Sequence, residues 1–261
     1  MKRLEGKTAI VTGAGRGIGR GIAVAFGREA ANVVVASRTK STVDSAVSEI
    51  ETDGGRAIGV VSDVGRKDDI FAMVAKAASV FGTVDILVNN AQGFGTAERP
   101  TPTPRLTALE DFDEEEWEYT FRTGALATLW GMKAVFPWMK ARGGKIINFG
   151  SSLGQIGGEG TAAYNATKEA IRALSRTAAR EWGKYRINVN VINPAVVTDA
   201  MLGYLNAHPE QAEAMLGQVP LRRWGDPVKD AGGLAVFLSS SDADYLTGMT
   251  FQLDGGGSMH A

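Results

Sequence analysis

The stretch Thr12-Gly13-Ala14-Gly15-Arg16-Gly17-Ile18-Gly19 follows directly on the apolar run Lys7-Thr8-Ala9-Ile10-Val11, and Ile18, Ile22 and Phe26 then recur at helical spacing. A buried strand thus breaks into a glycine-rich turn that opens a helix. Glycines there let backbone N–H groups approach a pyrophosphate, and the positive end of the helix favours its charge. Glycine also punctuates ordinary strand-to-helix turns, so the cluster alone says little. The order of strand, glycines and helix is what points to a nucleotide site.

Outward from that turn the pattern alternates. Apolar β-branched runs occur at Thr8–Val11, Asn32–Ala36, Ala57–Val61, Val84–Val88, Lys145–Phe149, Ile187–Ile192 and Met249–Leu253. All but the last are followed by helical periodicity or a long loop. Such alternation needs right-handed crossovers and a mostly parallel sheet covered on both faces. The expectation is one α/β domain over residues 1–261, a Rossmann-type doubly wound sheet of seven parallel strands flanked by helices. Two segments break the rhythm: the proline-bearing loop Gly93–Asp111, and Thr198–Pro220 with its own helical pattern. Both follow strands at their carboxyl ends, where open α/β sheets bind ligands.

Composition narrows the function. With 261 residues, 44% hydrophobic, the chain can bury one large core. A net charge of −1 gives no general grip on nucleic acid or an anionic membrane, so neither is expected as a partner. No apolar stretch is long enough to span a bilayer, and Met1-Lys2-Arg3-Leu4-Glu5-Gly6 leads into a strand rather than a signal peptide. The absence of cysteine makes a reducing cytoplasm the expected compartment. His208 and His260 do not lie at metal-ligand spacing, so no metal site is expected.

Chemistry-bearing residues cluster after the fifth run. Ser151 starts the loop leaving that strand, and Tyr164 and Lys168 stand four apart on one helix face. With Thr12, Gly13, Gly17 and Gly19 at the turn, Asp63-Val64, Asn89-Asn90-Ala91, Asn193-Pro194, Thr198 and Asp254-Gly255-Gly256, the chain resembles the short-chain dehydrogenase/reductase family over essentially its whole length. The resemblance implies that Tyr164 is the acid/base, that Ser151 holds the substrate oxygen, and that Lys168 binds the nicotinamide ribose while acidifying the tyrosine. A lysine ammonium about 4 Å away, at an effective dielectric of about 20, favours a phenolate by about 4 kcal/mol, roughly three pKa units. The resemblance also implies a homotetramer paired through long helices at Phe112–Ala141 and Ala162–Tyr185, with Ala166, Ala170, Ala173 and Leu174 at the contact.

Cofactor choice is read at the end of the second strand. An NAD site wants an acid there for the ribose hydroxyls; this chain has Ser37 followed by Arg38, with Arg16 in the turn as a second cation. Guanidinium groups suit a 2′-phosphate, so NADP(H) is expected over NAD(H). The cofactor-contacting set is Gly13, Arg16, Gly17, Ile18, Gly19, Ser37, Arg38, Asp63, Val64, Asn90, Ala91, Tyr164, Lys168, Pro194, Val197 and Thr198. The substrate, a small-molecule carbonyl or secondary alcohol of apolar character, is expected against Gln92, Ser151, Leu153, Tyr164, Met201 and Leu202. Met201, Leu202, Tyr204, Leu205, Met215 and Leu216 supply the apolar density that points this way. Arg222-Arg223-Trp224 reads as an anion anchor or, preferably, a solvated charge pair.

The chain also departs from the family. Gly124 stands where relatives carry the asparagine of a catalytic tetrad, Gln92 where a glycine is usual, and Ala195 likewise. These departures read either as drift within a tolerant family or as function, in which the glycine at 124 opens space for substrate or water and Gln92 brings an amide near the reacting centre. Reduction of a 3-oxoacyl group on a carrier is the alternative activity. A non-catalytic dinucleotide-binding sensor or structural subunit is the alternative class.

Overall fold

The protein is described over residues 2–259 in a computed structural model. The strands are β1 (Thr8–Thr12), β2 (Asn32–Ser37), β3 (Arg56–Val61), β4 (Ile86–Asn89), β5 (Phe94–Gly95), β6 (Pro100–Thr101), β7 (Gly144–Phe149), β8 (Ile187–Pro194) and β9 (Thr250–Leu253). The helices are α1 (Gly17–Arg28), α2 (Lys40–Thr52), α3 (Lys67–Phe81), α4 (Glu114–Phe121), α5 (Ala127–Met139), α6 (Ser152–Ile156), α7 (Ala162–Trp182), α8 (Asp199–Ala207), α9 (Pro209–Gly217) and α10 (Gly233–Ser239). Seven strands form one sheet in the order β3-β2-β1-β4-β7-β8-β9. Every pair in it is parallel, as the alternating pattern requires. The order reverses between β1 and β4, so a crevice opens beyond their carboxyl ends.

The strand period of two sorts the core into a layer on each face. Ala9, Val11, Val33 and Val35 face one side with Ile22, Phe26 and Ile50. Ile10 and Val34 face the other with Ile70, Met73, Met132, Val135 and Ile146. Continuous apolar runs are therefore what a doubly covered strand needs.

Boundaries differ from expectation where side chains replace ladder bonds. Thr8 N–H donates to Asp85 Oδ2 (2.9 Å), and β4 proper starts at Ile86. Met249 N–H donates to Asn190 Oδ1 (3.1 Å), and β9 starts at Thr250. The segment 93–111 is more ordered than a loop: β5 and β6 pair antiparallel, and a 3₁₀ turn spans Leu109–Asp111. The long helix expected over Phe112–Ala141 is capped by Asp113 and interrupted by a π turn at Arg122–Leu126. Thr198–Pro220 contains α8 and α9; the Tyr204 side chain and His260 lie outside the described residues.

A buried polar chain fixes the helices that carry the site. Asn89 Nδ2 donates to Asn148 Oδ1 (2.9 Å), and Asn148 Nδ2 donates to Ser175 Oγ on α7 (2.8 Å). Ser175 Oγ donates in turn to Ile171 O (2.7 Å). All three side chains are buried, so cutting the chain leaves polar atoms without water. Asn148→Ala is expected to cost about 2–3 kcal/mol by orphaning the Asn89 amide and leaving a cavity in the core. A lower urea midpoint at unchanged slope checks it; an unchanged midpoint would refute the role.

Candidate active site

Thr12 ties the two strand ends that flank the crevice. Its hydroxyl donates to Val88 O (3.2 Å) and accepts from Asn90 N and Ala91 N (both 3.1 Å). Asn90 Nδ2 donates to Thr12 O (2.9 Å), laying its amide beneath the glycine turn. A Cβ on Gly13 (φ +68°) would come 2.8 Å from that amide nitrogen, and one on Gly19 would strike the same atom and Gly13 O. Gly17 opens α1 with φ +56°, and no side chain caps this helix start. The turn thus presents N–H groups that no side-chain cap has taken.

A cavity of about 400 Å³ extends from this turn and is lined by Gly13, Arg16, Gly17, Ile18, Ser37, Arg38, Asp63, Val64, Asn90, Ala91, Gln92, Tyr164 and Thr198 of the expected set. Also on its wall are Ser62, Gly93, Phe94, Pro102, Tyr119 and Thr123, which the sequence reading missed. Gly93 and Phe94 could have been found from their place just after the fourth strand. Nothing local marks Tyr119. Gly19 lies buried beneath the turn, while Ser151, Leu153, Lys168, Pro194, Val197, Met201 and Leu202 are not on the cavity wall. A larger cavity of about 650 Å³ at the opposite ends of the strands holds Lys7, Asp85, Lys145 and Asp244 but no converging chemistry.

The glycine cradle fits a pyrophosphate in close approach, and the cationic rim with Ser37 in place of an acid fits an adenosine phosphate. Arg38 Nη1 donates to the Tyr119 hydroxyl across the cavity (2.9 Å). Arg223 is engaged elsewhere, bidentate to Asp230 at 2.6 and 2.9 Å, and Arg222 donates to Gly217 O. The charge-pair reading of this segment therefore holds.

Ser151, Tyr164 and Lys168 meet beyond the carboxyl end of β7. Ser151 caps α6, accepting from Leu153 N (3.2 Å). Lys168 is buried, 4% exposed, and its Nζ donates to Phe149 O (2.9 Å) at 5.4 Å from the Tyr164 ring centre. Phe94 also packs against that ring, centroids 5.6 Å apart. Burial lowers the Lys168 ammonium to about 8. Burial also pushes the Tyr164 phenol above its ordinary value, opposed only by the hydrogen bond with Ser151. The Lys168 ammonium is engaged by a backbone carbonyl, and burial is the larger influence on the phenol.

The space expected at Gly124 is already filled. A Cβ there would lie 2.5 Å from Gln92 Oε1 and would overlap Thr167 Cγ2. The Gln92 amide nitrogen donates to Thr120 O (2.9 Å) and Gly93 O (3.1 Å), so its carboxamide is committed to the π turn.

Comparison with known proteins agrees with this architecture. A family profile described as enoyl-(acyl carrier protein) reductase matches residues 13–258. A 12α-hydroxysteroid dehydrogenase of a Clostridium species is 37% identical over 98% of each chain. A 3-oxoacyl-[acyl-carrier-protein] reductase of Staphylococcus epidermidis is 34% identical, over 96% of this chain and 98% of the other. Among solved structures, one from Agrobacterium tumefaciens with bound NADP, described as a 2-deoxy-D-gluconate 3-dehydrogenase, superposes with a TM-score of 0.84 at 33% identity over 97% of each chain. The chain belongs to the short-chain dehydrogenase/reductase family. It is an oxidoreductase acting between CH–OH and C=O groups of small molecules. Among the described residues no helix is long and apolar enough to cross a membrane.

The buried lysine has a stability signature. Its folded value of about 8 lies below the ordinary 10.5, so between these the unfolded chain holds a proton that the folded one lacks. Stability then rises with pH through that window. Relative to Lys168→Met, the wild type is expected to gain roughly 2–3 kcal/mol from below pH 8 to about pH 10, read by urea unfolding. Tyr164 keeps its proton to above pH 10 in both proteins and so does not blur the comparison. Parallel pH curves for the two would refute the burial argument.

Proposed function

We propose that the protein is an NADP(H)-preferring oxidoreductase that interconverts a bulky apolar ketone and its secondary alcohol. The convergence of Ser151, Tyr164 and Lys168 beside the dinucleotide cavity carries this reading. It also speaks against a purely binding or structural role, which needs no such trio.

When bound, the nicotinamide supplies or accepts the hydride and, in its oxidised form, brings a positive charge to the site. In reduction, the Tyr164 O–H donates its proton to the carbonyl oxygen; in oxidation, the phenolate takes the proton from the alcohol. The Ser151 hydroxyl orients that oxygen without competing as a base. Burial favours the protonated form of Tyr164, which suits an acid awaiting a carbonyl. Lys168 remains charged below about pH 8, where it binds the ribose hydroxyls and favours the phenolate that proton donation leaves. Arg16 and Arg38 take the 2′-phosphate, with Tyr119 aiming Arg38.

Exposed apolar side chains support the substrate class. Leu106 is 81% exposed, Ile156 66%, Leu202 45% and Leu153 40%, on the segments expected to border the substrate. The hydroxysteroid dehydrogenase relative acts on a rigid apolar alcohol by its name, and the carrier-linked reductase relative keeps a 3-oxoacyl substrate as the second outcome of a test. The reading includes a cytoplasmic homotetramer: Ala166, Ala170 and Ala173 on α7 stand outside the core, which leaves that stripe available for helix pairing.

A panel of polycyclic ketones, short ketones and 3-oxoacyl thioesters, followed at the nicotinamide absorbance with each cofactor, tests the reading. Tyr164→Phe is expected to lose more than about 100-fold in kcat while still binding NADPH, because only the proton-carrying hydroxyl is removed. Turnover within a few-fold of wild type would mean that the proton travels another way. Arg38→Asp is expected to lower kcat/KM with NADPH by about 10-fold or more and to raise it with NADH, as a carboxylate repels phosphate and binds ribose hydroxyls. A wild-type preference for NADH would overturn the cofactor assignment.

A further inference from the structure

We propose that Gln92 is a positioning residue for this reaction, its carboxamide standing in the volume of a side chain at 124 and locking the segment after β4 and the π turn against α7. The inference rests on the reading of Tyr164 as the proton donor and goes beyond it.

Three parts of the chain meet at the Gly124 Cα. From one side comes Gln92, whose Oε1 sits 2.5 Å from where a Cβ would be. From another comes Thr167, fully buried and directly before Lys168, whose methyl overlaps the same point. The third is the π turn itself, in which Ala127 N–H reaches back five residues to Arg122 O. Gln92 Nε2 donates to Thr120 O in the last turn of α4 (2.9 Å). The Thr123 hydroxyl of the π turn, accepting from Gly93 N (3.1 Å), adds a bond to Tyr119 O (2.9 Å), which also accepts from Arg122 N.

The Gln92 Oε1 that results is buried and has no partner. An orphaned buried carbonyl is costly, so the amide is not there for that oxygen. It is held by what its nitrogen ties and by the volume that it fills. Two residues further along, Phe94 rests on the Tyr164 ring. The segment 92–94 is therefore pinned at one end to the π turn and at the other sets the ring whose hydroxyl moves the proton. A shorter residue at 92 frees Phe94; a longer one at 124 drives Gln92 and Thr167 apart. Gln92 and Gly124 are one reciprocal choice.

The test is a double-mutant cycle in a Thr167→Ser background, which removes the methyl that overlaps a Cβ at 124. The background itself, Gly124→Asn, Gln92→Gly, and both together are assayed beside the wild type for kcat and KM on the ketone that the wild type reduces fastest, with NADPH affinity by fluorescence titration. Gly124→Asn alone is expected to lose about 30-fold or more in kcat, Gln92→Gly about 10-fold, and the double variant to return to within about 5-fold of the background. NADPH affinity should stay within about 2-fold in Gln92→Gly, since the loss is one of alignment and not of binding. Background kcat in Gly124→Asn, or a double variant no better than the product of its singles, would overturn the proposal. Should the asparagine variants fail to fold, Gln92→Met decides: it keeps the length, drops the amide donor, and is expected to lose about 10-fold in kcat at unchanged NADPH affinity, whereas wild-type kcat overturns the role. Tyr164→Phe runs beside the cycle. Activity in that variant would sink the catalytic reading itself, while an inactive Tyr164→Phe with an additive cycle would sink only the role of Gln92.

Discussion

The hydroxyl of Thr12 is the joint on which the cleft depends. It stands at the end of β1, where the sheet order reverses, and its bonds to Val88 O, Asn90 N and Ala91 N bring the end of β4 against the glycine turn. Everything nearby then becomes a question of room. Asn90 occupies the floor, so residues 13 and 19 can carry no Cβ. The glycines that invite a pyrophosphate from above are demanded equally by an amide from below. The binding surface and the strand junction are thus one structure, and neither can be altered without the other.

Burial at the site works against charge. Tyr164 and Lys168 are both pushed towards their neutral forms by burial, and the lysine donates to Phe149 O instead of to the tyrosine. A cleft of this kind holds a protonated phenol ready to donate. It leaves the charges of the bound ligands to set the balance, since added charge acts strongly where water is excluded. Lys168 is near its own titration point at about 8, so a small change in surroundings moves it.

The π turn explains how a family position can be lost without leaving a hole. Gly124 removes a side chain from the helix, and Gln92 returns one from a strand end 32 residues earlier, with the hydrogen bonds of the turn shared between Gln92 and Thr123. A glycine inside a helix costs about 1 kcal/mol against alanine. Here the alternative is a steric overlap with Gln92 and Thr167, which is worse. Packing, not helix propensity, holds the glycine at 124.

Period and order along the chain were enough to determine the parallel sheet, its two covered faces, the glycine turn and the helical spacing of Tyr164 and Lys168. Each of these follows from local rules: strand alternation, helical repeat, and the conformations open to glycine. The hairpin of β5 and β6, the π turn, the Arg38–Tyr119 bond and the Gln92–Gly124–Thr167 contact were decided only in three dimensions. Arg38 and Tyr119 lie 81 residues apart, and no local pattern couples them. The direction of the tyrosine shift was likewise hidden, because spacing on a helix states which charges are near but not how much water has been removed. Sequence carries periodicity and chirality; volume and desolvation exist only once distant segments are packed together.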